Sequence, residues 1–569
     1  MPPPAQTVQD CKAKYCGGVY SEKTTEGTEL ELVDCRILQC DADWSGGGLS
    51  AGHGAHVKMT RGTISGCSAK VGGGTHVHGA ASLVALVDVL VTTCRATHDE
   101  DEEGGGGVFV RSGAVLTMSG GSVRNCEAQN TGGGVLVKSG AILSMTGCSI
   151  RDCFAAQNFG GLFVQDSASQ VRLSGMTLQG CTAGSDAGCI GIEDANVSLI
   201  DVSLEECGDA LCKRYALVSW GTLTLLRAER VRIGRPNPKY ATDPFCTPLA
   251  ATVGGSSTWT DSAIFDSPGI GLNLGTGTHT VVRTSIVRSN PATTFHIPGV
   301  QIGAGSTLMM TDSYIAGGGY CLRSWGALVV RNTTIHNCSE IDPGELSMAL
   351  QDGPRTRPYI ELSSAKAATR FQAELLTLEL SCDQFPNIRP LIKIEEEDSA
   401  FTAPLNVRGL RIVAPAACAS SSFSVFSDRV RPVACSDDGY APCHATATCT
   451  EVPPLPSVPT LRKTVDCSCE GEGGANPMAT SPALAPYGFD PSTVGLQDPP
   501  IDYCVRPRPL KPQTQDHLVR PASRSHASPA PAATHRSRRV LHSRPTSMAT
   551  VWKRWSDSPR GTWPMRRRL

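Results

Sequence analysis

Aromatic residues make up only 5% of this 569-residue chain. That is thin for a conventional globular core, whereas stacked coils can be filled by Val, Ile, Leu and Ala alone. No apolar run reaches the roughly 18 residues of a transmembrane helix, so none is expected. The opening segment, MPPPAQTVQDCKAKYCGG, lacks the apolar stretch of a secretory signal. Net charge is also nearly absent, at −2, but the balance is uneven. Residues 505–569 carry 15 Lys/Arg against 2 Asp, a net of +13, which leaves −15 for the rest. The length fits roughly two to four domains.

Glycine (59) and cysteine (24), by contrast, are plentiful. Their placement is periodic. Residues 132–155 read GGGVLVKSGAILSMTGCSIRDCFA, and residues 105–128 read GGGVFVRSGAVLTMSGGSVRNCEA. Aligned copies put cysteines at 40, 67, 94, 126, 153, 181 and 207, with spacings of 27, 27, 32, 27, 28 and 26. A few residues before each stands an aliphatic: Ile37, Ile64, Leu90, Val123, Ile150, Leu178 and Leu204. Two residues after most of them comes Ala, as at Ala42, Ala128 and Ala155. Alternating pairs such as Leu116/Met118 and Leu143/Met145 read as strands, and the glycine clusters read as turns. Each copy thus holds three short strands, after the glycines, at Leu143/Met145 and around Ile150. A copy this short cannot bury an apolar face alone. Stacking with strands in parallel register solves that problem.

The fold class expected is therefore all-β: a parallel β-helix solenoid with a triangular section. Its regular cysteine repeat covers 11–233, and an irregular continuation with longer turns covers 234–415. At about 4.8 Å per coil the repeat makes a rod. The alternative for 340–415 is a separate small β-domain. Cys16-Gly17-Gly18 begins a coil with no room for a cap, so missing upstream sequence is expected.

The glycine pair, the alternating apolars and the Ile-x-x-Cys-x-Ala run resemble the repeat of polymorphic outer membrane proteins. Cysteine stands here in place of that repeat's asparagine, and an aliphatic in place of its phenylalanine. More broadly, residues 11–415 resemble the right-handed parallel β-helix (pectin-lyase-like) superfamily. The resemblance implies a right-handed coil. It leaves the role open, because that superfamily holds lyases, hydrolases, adhesins and autotransporter passengers.

The column of repeat cysteines is expected to be inward, reduced and apolar in behaviour. Bridging of adjacent pairs is the alternative, though in-register Cβ atoms stand farther apart than a disulfide prefers. Residues 435–504 differ. CSDDGYAPCHATATC followed by CSCEGEGG resembles an EGF-like module. The resemblance implies bridges Cys435–Cys449, Cys443–Cys467 and Cys469–Cys504, and with them an oxidising, extracellular or cell-surface location. An unstructured cysteine-bearing linker is the alternative. Sequons at Asn196, Asn332 and Asn337 point weakly to the same location.

Enzymes of this superfamily set catalytic groups on the outward side of one sheet. Between inward Val135 and Val137 lies Leu136, whose equivalents are Tyr20, Ser50, His76, Phe109, Phe163 and Ile190. The next outward column runs Glu22, His78, Arg111, Lys138 and Gln165. Neither column holds a carboxylate pair for acid–base work. Gly52-His53-Gly54 reads as a turn histidine, and His76/His78 as a pair lacking a third ligand. The run His98–Glu103 reads as a solvated acidic loop. Neither a cofactor nor a metal site is expected.

Tyr20, His76, Phe109, Leu136 and Phe163 therefore form an exposed stripe, the candidate binding face for a carbohydrate or a protein. The tail, 505–569, is rich in Pro, Ser, Ala and Arg and is expected to be disordered and basic. Its charge suits anionic surfaces rather than a specific nucleic acid. The functional reading is a non-enzymatic extracellular or cell-surface scaffold of the adhesion type. The alternative is a polysaccharide lyase or glycoside hydrolase whose acidic or basic cluster lies within 234–415.

Overall fold

The computed structural model describes residues 6–22, 29–98, 104–209, 215–234, 251–265, 270–287, 298–317, 320–336, 338, 359–363, 371–379, 392–395, 405–408, 411–413, 448–452 and 464–468. These residues form strands and turns, with no helix among them. Successive coils stack in parallel register, so that Val135 pairs with Leu162 and Val137 with Val164.

A regular coil has four strands rather than the three expected. In one coil they are Val135–Lys138, Ile142–Thr146, Ser149–Arg151 and Phe154–Ala155. The fourth is too short for alternation to betray it. Its Ala side chains, Ala128 and Ala155 among them, are buried in the corner that follows each cysteine.

Three stacks of strands result. The post-glycine sheet has 14 strands, from Val19–Glu22 to Ile392–Glu395. The second and third strands of each coil join into a long sheet of 27 strands, from Thr7–Gln9 to Arg411–Val413. The corner strands form an 8-stranded sheet that ends at Gly208–Asp209. Strands after residue 233 continue on the first two sheets, for example Ile360–Ser363 on Tyr320–Ser324 and Phe371–Glu374 on Ala327–Arg331. A separate antiparallel pair joins Thr448–Val452 to Thr464–Ser468 and sets Cys449 opposite Cys467.

Single residues turn the corners in the left-handed conformation. Gln39, Thr93, Asn125 and Asp152 stand just before ladder cysteines with φ of 50°, 53°, 51° and 52°. Asp34, Asp88, Asp201 and Asp261 do the same between the two halves of the long sheet, with φ of 53°, 53°, 55° and 52°. Asn and Asp tolerate this region better than other non-glycine residues. That tolerance explains their recurrence at the bends.

The interior is one continuous apolar column. Ile37, Ile64, Val123, Ile150, Leu178 and Leu204 line it as expected. Leu90 does not. It is half-buried, and Val91 takes the inward place, paired with Ile64 and Val123. In the later coils the interior also holds polar groups. Ser257 Oγ lies 2.9 Å from His279 Nδ1, Trp259 Nε1 donates to Ser257 Oγ at 3.2 Å, and His279 Nε2 meets the Gly275 carbonyl at 3.1 Å. Every ring nitrogen of that buried network has a partner.

Candidate functional site

The outward column on the post-glycine sheet is not an exposed stripe. Phe109 and Leu136 are fully buried, His76 and Phe163 nearly so, and only Tyr20 remains 49% exposed. The cover is the turn that enters each strand. The first glycine of each triplet, at Gly72, Gly105 and Gly132, has φ of 60°, 70° and 62°. A Cβ on these glycines would lie 2.9, 2.9 and 3.0 Å from the Cβ of His76, Phe109 and Leu136 respectively. Glycine meets both demands without a Cβ.

In the next coil Phe159 takes the left-handed place, with φ of 57°, and its ring stacks on Phe163 at 4.4 Å. Gly191 leaves room for that ring and holds the outward position, whereas Ile190 points inward. Val71, Ala187 and Val218 complete this second apolar layer. Burying each aromatic or leucine here contributes about 1.5–3 kcal/mol.

The neighbouring outward column brings several ring groups together near the first coils. His76 and His78 stack at 4.7 Å, His53 meets His78 edge-on at 5.2 Å, and His76 stacks on Phe109 at 5.3 Å. Glu22 lies 3.9 Å from His53 Nε2 and accepts a hydrogen bond from Tyr20 Oη at 3.0 Å. His53 sits in a turn, with φ of 50°. Among the described residues no three His, Cys, Asp or Glu side chains are arranged to hold a metal ion. Of the acidic loop, only His98 lies within the described residues.

The cysteine column divides into two chemistries. Cys40, Cys67, Cys94, Cys126, Cys153 and Cys181 are buried and reduced. Each thiol donates to the carbonyl two residues back, as Cys94 does to Thr92 at 3.2 Å and Cys153 to Arg151 at 3.3 Å. Burial pushes the Cys153 thiol well up, and contacts with Cys126 and Cys181 add to the shift. Burial likewise raises Cys148 to about 11. A thiol that burial holds neutral, as at Cys153, is a poor nucleophile, whereas contacts with Cys153 and Cys94 pull Cys126 the other way.

Cys207, the seventh member, is instead bonded to Cys189, with Cα atoms 5.4 Å apart. Cys321 and Cys338 are bonded in the same way at 5.1 Å. The cause lies across the coil. A Cβ on Gly74, Gly107 or Gly134 would stand 3.1, 3.2 or 3.2 Å from the Sγ of Cys94, Cys126 or Cys153. Cys189 and Cys321 occupy that glycine position, directly before inward Ile190 and Leu322. The signal was in the sequence, where Gly188-Cys189-Ile190 replaces Gly160-Gly161-Leu162. Of the cysteines assigned to the EGF-like module, Cys435, Cys443, Cys469 and Cys504 lie outside the described residues. So does the basic tail.

Beyond residue 233 the outward column changes character. In register it runs Thr252, Asn273, Gln301, Arg323, Glu361 and Lys393. The first four are half-buried. Asn273 Nδ2 donates to Thr252 Oγ1 at 3.4 Å. Arg323 Nε lies 3.1 Å from Glu361 Oε2, and its guanidinium covers the Trp325 ring at 4.4 Å. Glu361 is fully buried. Periodicity could not reveal this column, because the turns between these coils vary in length.

Residues 5–210 match the family described as the right handed beta helix region. With the stacked parallel coils, that decides the architecture. The fold is a right-handed parallel β-helix. Among solved structures, the Siphovirus 9NA tailspike receptor binding domain is similar at 7% identity and a TM-score of 0.19, covering 80% of this chain and 77% of that one. A likeness that low carries no argument about the β-helix here. No curated protein matches the chain.

Proposed function

We propose that the protein is an extracellular or cell-surface β-helical scaffold that binds a glycan along the outer face of the post-glycine sheet between Thr252 and Glu361. One observation carries this reading. Thr252, Asn273, Gln301 and Arg323 stand in one column on adjacent coils, half-buried and bearing hydrogen-bonding side chains. Coils spaced about 4.8 Å apart offer such donors and acceptors at intervals close to one sugar unit. Trp325, beside Arg323, adds an aromatic ring that suits a sugar face. The Cys189–Cys207 and Cys321–Cys338 bonds support an oxidising compartment.

Glycan-panel binding followed by calorimetry tests the reading. Substituting Asn273→Ala and Gln301→Ala together should weaken the best ligand at least tenfold while unfolding is unchanged. Unaltered affinity would remove this face from consideration.

The second reading is cleavage of a polysaccharide, favoured by Arg323 beside Glu361 with Lys393 next in register. The burial of Glu361 in an ion pair argues for structure over proton transfer. Chain-shortening of acidic polysaccharides, lost on Glu361→Gln in a folded variant, would replace the scaffold reading with the enzyme.

A further inference from the structure

The β-helix contains two deeply buried histidines of opposite kinds. His279, in the interior, has partners on both ring nitrogens. His76, on the outer layer, is 1% exposed, and neither Nδ1 nor Nε2 has a hydrogen-bond partner. Unpartnered buried polar atoms are rare and costly. His76 fills a place that Phe109 and Leu136 fill in the following coils. Either apolar residue would pack there without that cost.

Its surroundings carry a surplus of basic groups. His78 stacks on one side of the ring, with His53 edge-on beyond it. Arg111 lies over the adjacent Phe109 ring at 5.3 Å, and Lys138 lies over the same ring at 5.8 Å. On the covering turn, Lys70 packs over Trp44 at 4.0 Å, and its carbonyl accepts from the His98 backbone. Ser50 stands opposite His76 on the preceding strand, and Glu22 and Tyr20, one strand further back, are the acidic and phenolic groups. Burial first, then the charges of His78 and Arg111, holds the His76 imidazole well below its usual range. His78 is lowered by burial and by His53.

The cover is bonded on both sides, its carbonyls at Val71 and Gly72 accepting from Gly46 and Gly47. Gly72 rests against His76, and the turn is tied to its neighbours by backbone bonds such as Val71 to the Trp44 carbonyl and Gly72 to the Gly104 carbonyl. We propose that His76 is an acid-sensitive latch, whose protonation releases the Lys70–Gly74 turn from the post-glycine sheet and uncovers the apolar layer around Val71 and Phe109. The sign follows from linkage. The closed state binds the proton less well than the open one. Closure is therefore complete above about pH 6.5 and weakens as pH falls below it.

Hydrogen exchange of peptides spanning residues 68–80, corrected for intrinsic rates, reads the latch directly between pH 7.5 and 5. Wild-type protection should fall by up to tenfold per pH unit below about pH 6.5. Peptides around residues 142–151 should keep theirs. His76→Phe should hold protection flat across the range. His76→Leu, which copies the Leu136 coil, provides the same test if the larger ring does not fit. Flat wild-type protection, or an equal loss in the folded His76 variants, would overturn the proposal.

Discussion

From Phe109 to Phe163 the outward column of the post-glycine sheet is apolar and sealed, whereas from Thr252 to Arg323 it is polar and half-buried. At Phe109, Leu136 and Phe163 each coil's entering turn folds over its own strand. At Thr252, Asn273, Gln301 and Arg323 the side chains keep part of their surface. The difference teaches that outward direction on a β-helix does not fix exposure. A left-handed residue four positions earlier, glycine or Phe159, does. Among the described residues the cystines, one in each half, follow a glycine position instead. Where that part of the coil keeps its glycine, the ladder thiol stays free, and where a cysteine replaces the glycine, the coil is clamped.

The largest expected effect breaks the sealed half. Phe163→Ser should destabilise the β-helix by about 3–5 kcal/mol, read by denaturant unfolding, because it removes a stacked ring from a closed layer. A surface-like loss of a few tenths would mean the cover is open in solution. Next comes the clamp. Cys207→Ala should cost about 3 kcal/mol, whereas Cys153→Ala, in an unclamped coil, should cost about 1 kcal/mol.

In the open half, Arg323→Ala should cost roughly 2–3 kcal/mol, since it removes the guanidinium paired with buried Glu361. Denaturant unfolding of the variant beside the wild type would read that cost. Gly134→Cys should form a bond with Cys153 on oxidation, detected by peptide mapping. Its stability gain should be small, because the new Cβ crowds the Gly161 carbonyl at 2.6 Å. Smallest of all, Arg230→Ala should leave the unfolding midpoint unchanged. Its bidentate pair with Asp201 is exposed to solvent.

The repeat made the inward face legible. Period-two alternation and the glycine and cysteine spacing specify which side chains face inward at Ile150, Leu143 and Cys153, since stacking demands identical choices in every coil. The corner strand at Phe154–Ala155 escaped because two residues carry no period. Leu90 misled because alternation cannot tell adjacent aliphatics apart.

By itself, then, the amino-acid order determined a stacked parallel coil and most of the interior column of its cysteine repeat. These follow from local periodicity repeated at a fixed spacing. Only the tertiary structure decided that Thr252, Asn273 and Gln301 share one column and that Arg323 meets Glu361. Each depends on how far a turn of variable length carries the chain before it returns to the stack, and no local pattern encodes that distance.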